Sequence, residues 1–315
     1  MKSLYTKRFW SNGRIRIYKG GAGEMTTPLV GTVTYELKPL QSYEEYWQTV
    51  QMHVQSAQRQ NVRLLVFPEY QTAQLLALQP VMTHAEAVAY LDGFTEEYVT
   101  RFSQLAQENE LTILGGTHIV KEGDGYVNKA YLFYPDGRVE TQNKVHTTPE
   151  ERKVWDLKPG EDFAVFDTEI GKVAILTCYD IEFPETARIV ADMGAEIILC
   201  PSYTDAPAGF YRVRYCAQAR AVENQLFVVM SGLVGSVPGV EQIDMAYSKG
   251  AVFAPCDYPF PPDGILSEGM LNASMVTTAP IDLVRLNENR TMGNVSPYFD
   301  RKPEVYAKQS KSLPL

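Results

Sequence analysis

A chain of 315 residues, 45% apolar and 21% charged, can bury a large core without disulfides or metals. Its net charge of −9 argues against a non-specific nucleic-acid binder, which needs a basic face, though it does not exclude an anionic small substrate. The four cysteines, Cys178, Cys200, Cys216 and Cys256, form no Cys-x-x-Cys pair and have no histidine at zinc-ligand spacing, so neither a disulfide scaffold nor a metal cofactor is expected, and no feature of the sequence implies an organic cofactor.

The first 25 residues are basic but lack the apolar stretch of a secretory signal, and no run reaches the length of a membrane span. A cytoplasmic location is expected, and the sequons at Asn272, Asn289 and Asn294 then carry no meaning. Residues 1–25 read as an extension, 26–290 as one domain and 291–315 as a proline-containing tail. Gly20 to Gly23 lacks the Gly-Lys-Ser/Thr of a phosphate loop and reads as a turn.

From residue 28 an α/β rhythm begins. Leu29–Leu37 reads as a strand. Ser42, with Glu45 three residues on, starts a helix to about Gln58. Val62–Phe67 is a nearly continuous apolar run, hence a strand buried on both faces. The spacing of Ala87, Leu91, Phe94, Tyr98, Phe102 and Leu105 predicts one helix over 83–109. A strand at Leu111–Val120 precedes two hairpins, Tyr126–Tyr134 with Arg138–Gln142, and Phe163–Asp167 with Lys172–Thr177. Helices at 184–193 and 209–224 alternate with strands at Glu196–Cys200 and Leu226–Met230. Ser248–Ala254 and Met270–Ile281 complete the strands. Hairpins mixed with crossovers predict mixed sheets in an α/β fold.

Three chemically capable residues each follow a predicted strand: Glu69 after Leu64–Phe67, Lys144 after Val139–Asn143, and Cys178 after Val173–Thr177. Strand ends with short loops are where α/β proteins carry catalytic groups. Singly, each has a bland explanation: a helix-start carboxylate, a surface charge, a core thiol. Together a base, a cation and a nucleophile form an active-site pattern. Among other candidates, His146 lies two residues from Lys144 and reads as a neighbouring loop residue, and His118 as a hydrogen-bonded core residue. Glu185 and Arg188 sit one helical turn apart and predict an ion pair. Tyr203 and Asp205 follow the strand ending at Cys200, where they either line a pocket mouth or simply end the strand.

The segments Val66-Phe67-Pro68-Glu69, Asn143-Lys144-Val145-His146 and Leu176-Thr177-Cys178-Tyr179-Asp180, running on through Phe183-Pro184-Glu185, resemble the nitrilase superfamily of carbon–nitrogen hydrolases. Cys200-Pro201-Ser202 and Ala219–Asn224 are similar to it as well, and the resemblance covers roughly residues 28–285. It implies a four-layer α-β-β-α sandwich with mixed sheets and a Glu69–Lys144–Cys178 triad. It also implies a second active-site glutamate near the substrate, for which the local match favours Glu151 over Glu150, and pairing into a homodimer through helices 184–193 and 209–224. In that chemistry Glu69 takes the thiol proton, and Lys144 with the backbone N–H of Tyr179 faces the oxyanion. Nitrilases of this superfamily usually carry Cys-Trp-Glu. Cys178-Tyr179-Asp180 is closer to the amidase and carbamoylase branches, so a small-molecule amide or carbamoyl substrate is expected ahead of a nitrile, with acyl transfer to an amine as an alternative. A catalytically silent binding protein is the distant alternative, and the intact triad speaks against it.

Overall fold

Alternation along the strands sends apolar side chains to opposite faces, and here each face meets a different layer. The computed structural model describes residues 7–11, 14–18, 27–79 and 81–310. Gly20 to Gly23, most of the expected 1–25 extension and Pro314 lie outside them. Within that extension Lys7–Ser11 (β1) and Arg14–Tyr18 (β2) pair antiparallel with each other.

The following elements are Leu29–Leu37 (β3), Tyr43–Arg59 (α1), Val62–Val66 (β4), His84–Asp92 (α2), Thr95–Glu108 (α3), Thr112–Glu122 (β5), Gly125–Phe133 (β6), Val139–Asn143 (β7), Pro149–Lys153 (α4) and Leu157–Lys158 (β8). The second half holds Val165–Thr168 (β9), Gly171–Ile175 (β10), Pro184–Asp192 (α5), Ile197–Ser202 (β11), Pro207–Asn224 (α6), Phe227–Gly235 (β12), Ala251–Phe253 (β13), Ile265–Glu268 (β14), Met275–Pro280 (β15), Leu283–Met292 (α7) and Pro303–Ser310 (α8). The strands run in the order β7-β6-β5-β4-β3-β12-β11-β10-β9. Pairing is parallel from β5 through to β10 and antiparallel at the flanks, so the sheet is mixed as expected.

The path folds back on itself. Leu64, Val66, Leu114 and Leu132 of the first half and Ile175, Leu199, Phe227 and Val229 of the second share one buried cluster between the two halves. On the outer face of the first half, Val33, Tyr35, Leu65 and Phe133 pack with Val50 and Val54 of α1 and Phe102 of α3. On the outer face of the second, Ala174, Ile198 and Val228 pack with Val190 of α5 and Val213 and Ala217 of α6. Helix, sheet, sheet and helix are therefore four layers over three contiguous cores.

Several sequence expectations are corrected. The helix over 83–109 is two, broken at Gly93 and Phe94. There the backbone tightens, Phe94 N–H reaching Leu91 O at 3.0 Å, and Phe94 stacks on Tyr43 at 5.1 Å. Ser42 caps α1 through the N–H of Glu45, but Glu45 reaches back to Gln41 rather than Ser42. The expected Glu185–Arg188 ion pair does not form among the described residues: Arg188 donates to the carbonyl oxygen of Glu223 at 3.2 Å. Strand 270–281 begins only at Met275. Apart from these corrections, the tail contacts its own chain, Tyr298 Oη donating to Asp192 Oδ1 at 2.9 Å and Arg301 pairing with the same carboxylate. Among the described residues no helix is long and apolar enough to cross a membrane.

Candidate active site

The parallel strands point their C-terminal ends at one place. β4 ends at Val66 and delivers Pro68 and Glu69; β10 ends at Ile175 and delivers Cys178; β11 ends at Ser202 and delivers Tyr203. Lys144 follows antiparallel β7. Gly116 makes this convergence possible from below. It adopts φ +76°, and a Cβ there would lie 2.0 Å from the carbonyl oxygen of Pro68, so only glycine lets β5 pass so close beneath Glu69.

Lys144 Nζ lies 2.8 Å from Glu69 Oε1 and 2.8 Å from Glu151 Oε2, and all three side chains are at least 95% buried. Glu151 is held in place by the start of α4: Thr148 and Glu151 exchange side-chain and backbone hydrogen bonds in a capping box. Glu150 is exposed and accepts from Trp155 Nε1 at 3.4 Å. It is thus Glu151 that reaches the lysine.

Counting donors separates the two carboxylates, since each can accept about four hydrogen bonds. Glu151 has four donors: Tyr70 Oη and Asn128 Nδ2 on Oε1, Lys144 Nζ and Thr148 N–H on Oε2. Glu69 has three: Lys144 Nζ and Asn128 Nδ2 on Oε1, and Tyr203 N–H on Oε2 at 2.9 Å. The remaining acceptor position is on Glu69 Oε2. Electrostatics agree. Burial pushes the Glu69 carboxyl above its usual range; Lys144 opposes this and the charge of Glu151 adds to it. Burial also penalises Glu151, but Lys144 and the hydrogen bonds from Lys144, Tyr70 and Thr148 outweigh it and hold that carboxyl below its usual range. Burial disfavours the charge on Lys144, yet Glu151 and Glu69 hold its ammonium well above its ordinary range.

Cys178 begins a 3₁₀ turn, Cys178–Glu182, in the left-handed region at φ +46°. For a residue with a side chain that conformation costs about 1–3 kcal/mol, and such strain gathers at functional sites. Its Sγ lies 3.4 Å from the carbonyl oxygen of Tyr203, whose own N–H sits on Glu69. One residue, Tyr203, therefore ties the Cys178 thiol to the Glu69 carboxylate. Burial, reinforced by Glu69, pushes the thiol well above its usual range, so at rest it keeps its proton.

Tyr203 enters through its backbone, while its hydroxyl donates to Met245 O at 3.0 Å. Tyr179 follows the thiol in the turn, half-buried, its ring edge-on to Phe183 at 4.9 Å. Asp205 is exposed on the bend before α6 and makes no contact with the triad. His118 is a core residue: its nitrogens meet Thr72 Oγ1 at 2.9 Å and Thr95 Oγ1 at 3.1 Å, and burial holds it neutral, its pKa lowered to about 3. His146 stacks on Phe183 at 3.9 Å and hydrogen-bonds Asp180 at 2.9 Å.

Three residues escaped the sequence reading. Tyr70 bonds Glu151 and stacks on Trp155 at 6.0 Å. Asn128 bridges both carboxylates; its signal was a polar side chain in phase with inward-facing Ala130 and Leu132. Asp180, buried, accepts from Val145 N–H at 3.4 Å, His146 N–H at 2.7 Å and Thr177 N–H at 3.3 Å. It clamps the lysine loop to the nucleophile turn. An acid two positions after the cysteine was visible, but not which loop it would reach.

Residues 30–259 match the carbon-nitrogen hydrolase family. The chain belongs to that family. Probable hydrolase YhcX of Bacillus subtilis (strain 168) is 43% identical over 279 residues, 89% of this chain and 54% of YhcX. An (R)-stereoselective amidase of a Pseudomonas species is 34% identical over 173 residues, 55% of this chain and 60% of that protein. The chain thus spans less than two thirds of either relative. Saccharomyces cerevisiae Nit3, of branch 10 of the nitrilase superfamily, superposes with a TM-score of 0.68 at 23% identity, covering 87% of this chain and 97% of Nit3. A variant of the amidase from Nesterenkonia sp. AN1 superposes at 0.70 with 19% identity, covering 92% and 100%. Both share the carbon–nitrogen hydrolase fold.

Proposed function

We propose that this chain hydrolyses a non-peptide carbon–nitrogen bond, amide or carbamoyl, of a small molecule through a thioester on Cys178. The observation that carries this is the buried Glu69–Lys144–Glu151 network meeting the thiol through Tyr203. Glu69 Oε2 takes the proton of Cys178 as Sγ attacks the carbonyl carbon. Negative charge then grows on the carbonyl oxygen, facing the Lys144 ammonium and the N–H of Tyr179. One such donor is worth about 3–4 kcal/mol of barrier. Collapse breaks the carbon–nitrogen bond, and protonated Glu69 gives its proton to the departing amine. A water then enters, Glu69 takes its proton, and its oxygen displaces Sγ to free the acid and restore the thiol. Glu151, saturated with donors, stays ionised and keeps Lys144 charged and in place.

Cys178-Tyr179-Asp180 and the likeness to the Pseudomonas amidase favour an amide over a nitrile. Release of ammonia from a panel of short primary amides and carbamoyl amino acids tests this. Turnover by wild type that vanishes in Cys178→Ala is expected; turnover of nitriles alone would move the assignment to a nitrilase.

Two copies of this chain are proposed to pair across α5 and α6, where Ile189, Met193, Tyr211 and Tyr215 leave apolar surface exposed. Light scattering on Tyr215→Glu, expected to be monomeric beside a dimeric wild type, checks it.

A further inference from the structure

Asn128 lies on β6 and is 1% exposed. It touches all three charged members of the site. Its Nδ2 donates to Glu69 Oε1 at 2.9 Å and to Glu151 Oε1 at 3.1 Å, and its backbone carbonyl accepts the N–H of Lys144 at 2.9 Å. Lys144 Nζ stands equally close to both carboxylates, so the lysine cannot decide which of them holds a proton. Two carboxylates sharing one cation in a dry pocket repel, and the less well-solvated one takes a proton. Without Asn128, Glu151 would keep three donors, from Tyr70, Lys144 and Thr148, and Glu69 only two, from Lys144 and Tyr203. Each carboxylate would lose one donor, and Glu69, already the poorer of the two, would take a proton more readily.

We propose that Asn128 is a positioning residue whose carboxamide bridges the two glutamates and keeps Glu69 ionised and free to take the thiol proton. This rests on Glu69 being the base of the proposed hydrolase. The groups facing Glu69 are Lys144 from the loop after β7, Glu151 from α4, Cys178 from the turn after β10, Cys200 of β11, Tyr203 just past it and Tyr70 beside Glu69 itself. Of these only Lys144 brings positive charge, so neutral donors must do the rest: Tyr70 and Thr148 serve Glu151 alone, Tyr203 serves Glu69 alone, and Asn128 serves both.

The test needs no knowledge of the substrate. The rate at which iodoacetamide alkylates Cys178 is followed by intact mass from pH 4 to 9 in wild type, Asn128→Leu, Asn128→Ser and Glu69→Gln. Wild type is expected to lose rate toward acid in a step that Glu69→Gln abolishes. In Asn128→Leu that step should move up by about one to two pH units, the loss of one hydrogen bond to a charged acceptor. Asn128→Ser, which keeps a shorter donor, should move it less in the same direction and carries the test if the leucine variant does not fold. An unmoved step, with the rate lowered by one factor at every pH, would overturn the proposal and leave Asn128 a structural residue. A wild-type acid step that survives in Glu69→Gln would instead remove Glu69 as the base, and the role of Asn128 with it.

Discussion

The two halves of the sandwich bring different things to the site. The first, β3 to β8, supplies the proposed proton handling: Glu69, Asn128, Lys144 and Glu151 in a buried network in which the lysine and both carboxylates each have two or more partners. The second, β9 to β13, supplies the proposed nucleophile, Cys178, on a strained backbone, with a single weak hydrogen bond at its sulfur. Charge in a dry interior must be fixed by many partners, whereas a nucleophile must stay free to move toward its target. Few polar contacts hold the halves together at the site: Tyr203 N–H on Glu69, the Asp180 clamp, and Ser231 Oγ on the carbonyl of Phe67 at 3.1 Å beneath them. Chemistry happens at this seam.

Breaking the network on the first half should have the largest effect. Lys144→Met leaves two buried carboxylates without a cation, which costs about 3–5 kcal/mol. A denaturant titration should show that loss together with loss of turnover. A variant as stable as wild type would mean that the network carries less charge than the geometry implies. Breaking the seam comes next. Asp180→Asn leaves the turn folded but weakens the acceptor of three backbone N–H groups, each a charge-assisted bond. Turnover should fall about tenfold to a hundredfold, with a stability loss of about 1–3 kcal/mol. Unchanged turnover would show that the lysine loop is held without it.

A smaller effect sharpens the contrast between the two glutamates. Because burial raises the Glu69 carboxyl, the base becomes protonated at a higher pH than an ordinary carboxylate would. Turnover should therefore fall on the acid side above the usual glutamate range, and measurement of kcat/KM against pH checks the sign. A limb at or below that range would contradict it. The smallest effect belongs far from the seam: the exposed pair Arg63–Glu169 at 2.6 Å, on β4 and the turn after β9, should contribute at most about 1 kcal/mol. Unfolding of Arg63→Ala provides that baseline against Lys144→Met.

Much of this architecture was legible in the sequence. The strands that build the core announce themselves by apolar runs, and the triad stands at their ends in recognisable segments. What stayed hidden was decided by tertiary contact. The helix break at Gly93 depends on Phe94 finding Tyr43, and Arg188 prefers a carbonyl of α6 to the carboxylate one turn away. Gln71–Leu78 forms a 3₁₀ helix whose Gln71, Thr72 and Gln74 are buried, against any pattern of polarity. Helix α8 has an almost wholly exposed surface and so needs no apolar stripe. Asp180 matters through the backbone N–H of another segment and Tyr203 through its own backbone, neither of which side-chain identity encodes.

The most direct test of the thioester is the intact mass of the protein after brief incubation with the amide panel, in wild type, Glu69→Gln and Cys178→Ala. An acyl adduct on Cys178 is expected, slower to form and slower to clear in Glu69→Gln, where neither the thiol nor the water meets its base, and absent in Cys178→Ala. An adduct of equal mass on Cys178→Ala, or undiminished amide turnover by that variant, would contradict it.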